Sequence, residues 1–172
     1  MSVTIDREAQ VLAGHDNYGQ VEPNHLSAPR NGQVYAQLPA DDAITVLEQG
    51  TFVKYDYANG KVNFTGEGPW MLVFNEEKLY DERKQMHRDF ALKAEDSYDG
   101  TIVPRVFVLR AGDIFTTNML AKGDYAKGDK VAPGADGILA ATSETSGLIL
   151  QVVAETTLPD GQPAVKLQVI SE

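Results

Sequence analysis

Cysteine is absent from the 172 residues. That excludes a disulfide framework, a thiolate metal site and a cysteine nucleophile. Long apolar runs are missing too, and none approaches the roughly 18 residues that a membrane-crossing helix needs. Positive charge is scarce: 15 basic residues stand against 25 acidic ones, for a net charge of −10. A phosphate backbone is repelled by that average field, so neither nucleic acid nor membrane is an expected partner. The densest basic stretch, Arg83 to Arg88 in DERKQMHRD, is interleaved with acids and reads as a solvated helix face. The N-terminal MSVTIDREAQVLAGHDN has no basic segment followed by an apolar one, so no secretory signal is expected there.

Motifs that carry chemistry are equally sparse. His15, His25 and His87 show no i, i+4 spacing, and no zinc signature forms around them. Setting Gly100 at the fixed glycine of an EF-hand loop puts Glu95, Ser97 and Asp99 at early ligand positions. Val106 then falls where a bidentate glutamate is required, and the match fails. Asp124, Asp129 and Asp136 each neighbour a glycine and read as turn-capping carboxylates. No G-x-S-x-G elbow and no phosphate-binding glycine loop occurs, and Ser143 and Ser146 lie in a polar TSETSG turn. The acid pairs Asp41-Asp42 and Glu76-Glu77 fall at turns or a helix start, where carboxylates are structurally expected. No catalytic residue, metal ligand or cofactor is expected, and the chain reads as a non-enzyme.

What is present is turn chemistry between short β-branched runs, with 15 Gly and 8 Pro. Thr51–Tyr55 and Lys61–Thr65 flank Asn59-Gly60, the strongest short hairpin signal because both turn positions need φ > 0. Trp70–Phe74 (WMLVF) is an apolar run of strand length, expected to be buried on both faces with Trp70 in the core. Further strands are expected at Ile102–Arg110, Asp113–Thr117, Lys130–Ala132, Ile138–Ala141, Leu148–Thr156 and Ala164–Ile170. Leu158–Gly161 forms a hairpin loop between the last two. One helix is expected over about 75–94, with Asn75 as N-cap, Glu76 and Glu77 in its first turn, and Leu79, Met86 and Phe90 along one stripe. That stripe would hold the helix to the body or to a sister subunit.

Residues 1–42 lack periodicity and are rich in Asn, Gly, Pro and Gln. Their scattered apolar residues, Val11, Leu12, Tyr18, Val21 and Leu26, suit an extended arm that orders against a partner. The expected organisation is thus an N-terminal arm (1–42) and a β-rich domain (43–172) carrying the helical insertion. The fold class is mainly β, a small β-barrel or β-sandwich with one inserted α-helix and an extended N-terminal arm.

The segment AGDIFTTNMLAKGDYAKGDKVAPGADGILAA (111–141), followed by LILQVVAETTLPDGQPAVKLQVI (148–170), resembles tailed-bacteriophage head-decoration and virion structural proteins. WMLVFNEEKLYD (70–81) shares that flavour, and the resemblance spans about residues 50–172. It implies a capsid decoration or cement protein, made in the host cytoplasm and carried on the capsid surface of the virion. Its partner would be the major capsid protein, bound as a homo-oligomer, with a trimer favoured. On this reading Val11, Leu12, Tyr18, Val21 and Leu26 would touch the shell. A tail or baseplate component and a small β-barrel carbohydrate-binding or hydrolase protein are the alternatives.

Overall fold

A computed structural model describes residues 2–11, 18–30, 38–75 and 91–172. The protein is mainly β, built from several antiparallel sheets, and no closed barrel forms among the described residues. The strands are β1 (Ser2–Ile5), β2 (Val21–His25), β3 (Val46–Glu48), β4 (Phe52–Asp56), β5 (Lys61–Asn63), β6 (Met71–Val73) and β7 (Ala91–Lys93). They continue with β8 (Val106–Val108), β9 (Ile114–Thr117), β10 (Gly123–Ala126), β11 (Lys130–Pro133), β12 (Leu139–Ala141), β13 (Ile149–Thr157) and β14 (Pro163–Ser171). Two short helices, α1 (Arg7–Val11) and α2 (Ser27–Arg30), belong to the N-terminal segment.

The largest sheet has the order β12-β11-β13-β14-β9-β2. Its spine is the β13/β14 hairpin, whose two strands of 9 residues pair from Ile149↔Ser171 to Thr157↔Pro163 with two register shifts. Alternation along it is read directly from the sequence. Leu150, Val152, Val165, Leu167 and Val169 turn inward, while Gln151, Lys166 and Gln168 lie between them at less buried positions.

A second sheet, β5-β4-β6-β8, stands against it. β6, β8 and the start of β4 have no solvent face, because each side lines a different core. Phe52, Leu72 and Phe107 join the larger core with Phe115, Leu150 and Leu167. The alternate residues Val53, Tyr55, Met71, Val73, Val106 and Val108 line a smaller core with Ala40, Ile44, Leu47, Val62 and Ile102. That explains why β6 and β8 read MLV and VFV, unbroken apolar runs in place of an apolar/polar alternation. Beyond β5, hydrogen bonding continues through residues 39–41. Val62 N–H donates to the Pro39 carbonyl, Asp41 N–H to that of Val62, and Ala40 N–H to that of Ile102.

Three expectations are corrected here. Residues 1–42 are not a free arm where described: β1 pairs with β10, and β2 pairs with β9 at the edge of the main sheet. Backbone groups in strand conformation seek partners, and the chain's own sheets supply them. Secondly, the helix expected to about residue 94 does not reach its end. Ala91–Lys93 is strand β7, paired with β3, and a 3-10 turn follows at Ala94–Asp96. Here pairing with β3 and burial of Ala91 override the helical propensity of the ALKAED stretch. The remainder, with Leu79, Met86 and Phe90, lies outside the described residues. Thirdly, Gly123-Asp124, expected as a turn, opens strand β10, since β1 offers it a pairing edge.

Candidate functional site

Among the described residues, the densest set of buried polar side chains lies where the N-terminal segment crosses the body. Three loops meet there: Tyr18–Gln20 leading into β2, Asn118–Met119 after β9, and the β13/β14 turn at Asp160–Gln162. Gln20, Asn118 and Gln162 are buried, with Asn118 and Gln162 each only 2% exposed. Gln20 N–H donates to Asn118 Oδ1 at 2.7 Å, and Asn118 Nδ2 donates to Gln162 Oε1 at 2.9 Å. Gln162 Nε2 and Gln20 Nε2 both donate to Asp160 Oδ2, at 2.8 and 2.7 Å. Thr117 Oγ1 donates to the Gln20 carbonyl at 2.7 Å and accepts Met119 N–H at 3.0 Å. Every buried amide in this chain of contacts therefore has a partner, as burial of polar groups demands.

Beside it, Arg7 of α1 donates to Glu48 Oε2 and, at 2.7 Å, to Met119 Sδ. Glu48 Oε2 also accepts Gly19 N–H at 2.6 Å, so one carboxylate at the end of β3 holds both halves of the N-terminal segment. Further out, Asp6 pairs with Lys122 at 2.7 Å and caps α1 by accepting Ala9 N–H at 3.2 Å. The Lys122 hydrogen bond, with the α1 amides, holds the Asp6 carboxyl below its ordinary value. Thr4 Oγ1 donates to Asp124 Oδ1 at 2.6 Å alongside the β1–β10 ladder. At the far end, the buried Asp113 accepts Ser27 N–H, Ser27 Oγ and Arg110 N–H at 2.8, 3.0 and 2.9 Å.

A concavity lined by Ile5, Asp6, Arg7, Asn118, Gln162 and Pro163 opens onto this network and holds about 170 Å³, open solvent included. Ligand pockets usually span about 300–1,000 Å³, so this dent suits ordered solvent better than a small-molecule substrate. Among the described residues, no group of three His, Cys, Asp or Glu side chains is placed to hold a metal ion. No helix among them is long and apolar enough to cross a membrane. Chemically, the arrangement fastens one segment of chain to another.

The expected contact residues are dispersed. Val11 ends α1, and Leu12 lies outside the described residues, as do Leu79, Met86 and Phe90. Tyr18 is half-buried, with the Lys93 ammonium 5.3 Å from its ring centroid. Hydrogen bonding with that phenol holds Lys93 above its ordinary value. Val21 is half-buried on the larger core, and Leu26 sits within it at 5% exposure. Leu26 therefore faces the protein's own interior, not a partner. Leu26→Asp would bury a charge and report on folding, not on attachment. Of the stretch 11–26, the described residues exposed to solvent are Pro23, Asn24 and His25 on β2. Asn75, expected as a helix N-cap, is buried and locked to Gln49. Its N–H donates to Gln49 Oε1 and its carbonyl accepts Gln49 Nε2, both at 2.8 Å, while Oδ1 accepts Arg105 N–H.

The amide network had no local signature. Asn118, Gln162 and Gln20 are far apart in sequence, and only folding brings their complementary groups together. Asp113 was expected as the first residue of a strand, and it follows the Ala111-Gly112 turn one residue before β9. Its bond to the Arg110 amide follows from that turn, but its hold on Ser27, 86 positions away, does not.

No family model, curated protein or solved structure matches this chain. The geometry and the sequence pattern therefore carry the functional reading.

Proposed function

We propose that this chain is a non-enzymatic structural protein of a tailed-phage virion, a decoration protein that binds the outer face of the major capsid protein lattice and stabilises the head. The observation that carries the reading is the fastening of residues 2–11 and 18–30. The N-terminal segment is stitched to two sheets by backbone ladders and secured by the Arg7–Glu48, Gln20–Asn118 and Ser27–Asp113 contacts. A protein that clamps a shell under internal pressure must resist peeling from its termini, and this construction supplies that resistance. The two facing sheets over one core read as a two-layer sandwich, a rigid body suited to the task. Acidic excess suits an outward-facing virion surface. Homo-oligomerisation, with a trimer at a three-fold site, would multiply weak contacts into firm attachment.

Because β1 and β2 each give one pairing edge to the chain's own strands, contact through the outer face of β2 takes the place of an arm strand donated to the shell. Pro23 and the register shift between Glu22 and His25 blunt that edge against further strand pairing. Its exposed side chains remain as the contact. Co-sedimentation with decoration-free capsid shells tests the reading. Saturable binding at a fixed ratio to the shell protein and a raised disruption temperature are expected, and absence of binding would overturn it. Pro23→Ser with His25→Asp should weaken attachment with melting unchanged. If attachment is unaltered, β2 is not the contact.

A further inference from the structure

The turn between β4 and β5 carries Asn59-Gly60, and both residues are exposed. A carboxamide followed by glycine is open to attack by its own backbone. The glycine nitrogen, on losing its proton, adds to the side-chain carbonyl carbon. The new C–N bond closes a five-membered imide as the amide nitrogen leaves as ammonia. Water then opens either imide carbonyl, giving aspartate or isoaspartate, and water is the one co-reactant. Steric shielding does not oppose the attack, since nothing lies within 4 Å of where a Gly60 Cβ would stand. The turn holds Gly60 at φ 64°, a conformation that favours glycine here.

What opposes the reaction is a single residue. The Asp56 carbonyl accepts Gly60 N–H at 2.9 Å, engaging the proton the nucleophile must lose. Its carboxylate accepts Asn59 N–H on Oδ1 at 3.1 Å and Asn59 Nδ2 on Oδ2 at 2.8 Å, pinning the leaving group. Asn63 Nδ2 donates to the same Oδ2 at 3.3 Å and steadies the carboxylate from β5. Those bonds also hold the Asp56 carboxyl below its ordinary value, the Asn59 side chain contributing most, so it is ionised and fully accepting at neutral pH.

We propose that Asn59 is a latent deamidation site, converting to aspartate and isoaspartate at a rate set by the grip of the Asp56 carboxylate. Conversion places a second negative charge beside Asp56, and the isoaspartate product adds a methylene to the turn backbone. Both weaken the hairpin that covers one end of the smaller core. The Asp-Gly pairs at 99–100, 136–137 and 160–161 are poorer substrates, because an ionised carboxylate resists the same attack.

The test is isoaspartate mapping after incubation of the folded protein at mildly alkaline pH. Asp56→Ala should accumulate isoaspartate at position 59 about tenfold faster than wild type, the scale expected for losing charge-assisted hydrogen bonds. Asp56→Asn, which keeps one side-chain acceptor, should fall between them. Wild-type protein unfolded in urea should react faster at 59 than the folded protein, a comparison that holds even if a variant fails to fold. Equal rates in folded wild type and a folded Asp56 variant would overturn the proposal. So would equal rates in folded and unfolded wild type.

Discussion

Asp113→Ala is expected to lower the melting temperature by about 6–12 °C. The carboxylate is 2% exposed and accepts three donors, Ser27 N–H, Ser27 Oγ and Arg110 N–H. Truncation leaves two amides and a hydroxyl without their acceptor in a partly buried setting. At about 1 kcal/mol for each, a low figure for a charged acceptor, the loss is about 3 kcal/mol. For a chain of this size each kcal/mol moves the melting temperature by about 2–4 °C, which gives the stated range. The position is also a junction. Asp113 N–H donates to the Arg110 carbonyl, its own carbonyl accepts Val169 N–H, and Gly112 N–H donates to the Val169 carbonyl. Loss of the side chain therefore loosens α2, the start of β9 and the end of β14 together. Asp113→Asn, retaining one acceptor oxygen, should lose less. A calorimetric scan of both variants checks the order, and an Asp113→Ala melt within about 1 °C of wild type would contradict the assigned role.

Those contacts mark the boundary of what the sequence made legible. Strands with local punctuation were readable, because period-2 alternation and Gly-Asp or Pro-Asp-Gly turns are short-range signals. β9, β11, β12, β13 and β14 fall where such signals put them, and the Asn59-Gly60 turn joins β4 to β5 as expected. Burial of Met71, Leu72 and Val73 on both faces was readable from an unbroken apolar run. Long-range choice was not. β1 and β2 have ordinary, partly polar sequences, SVTI and VEPNH, and they are strands because β10 and β9 present open edges to them. β7 follows a helix-favouring pattern and becomes a strand for the same reason, with β3 as its partner. The polar fastening failed to show because hydrogen-bond partners chosen across the fold leave no periodic trace. The mainly β character was therefore visible in residues 43–172, whereas the site that motivates the functional reading rests on pairings only the fold reveals.

The seam between the two cores carries the other large effect. Gly137, in the turn between β11 and β12, accepts Phe52 N–H on its carbonyl at 2.8 Å, joining the main sheet to the first residue of β4. A Cβ on Gly137 would lie 2.0 Å from the Phe52 carbonyl oxygen and 3.0 Å from the Phe64 ring, and φ there is +75°. Gly137→Ala therefore meets two costs. A left-handed backbone conformation costs an alanine about 1–2 kcal/mol, and forcing atoms into a filled space costs about 1–3 kcal/mol more. The obstacle is backbone, which cannot rotate away, so β4 itself must move. A fall in melting temperature of about 6–12 °C follows for a total near 3 kcal/mol. Gly128→Ala separates the two costs, since Gly128 has φ 100° with nothing within 4 Å of an added Cβ. It should carry the conformational cost alone. Displacement of Phe52 and Val53 touches both cores, because the first lines one and the second lines the other. Trp70, the single tryptophan, packs against the larger core with Lys54 over its ring, so its emission should shift to the red in Gly137→Ala. Equal melting losses in the two variants would show that the seam yields freely, and that the facing sheets do not depend on this contact for their register.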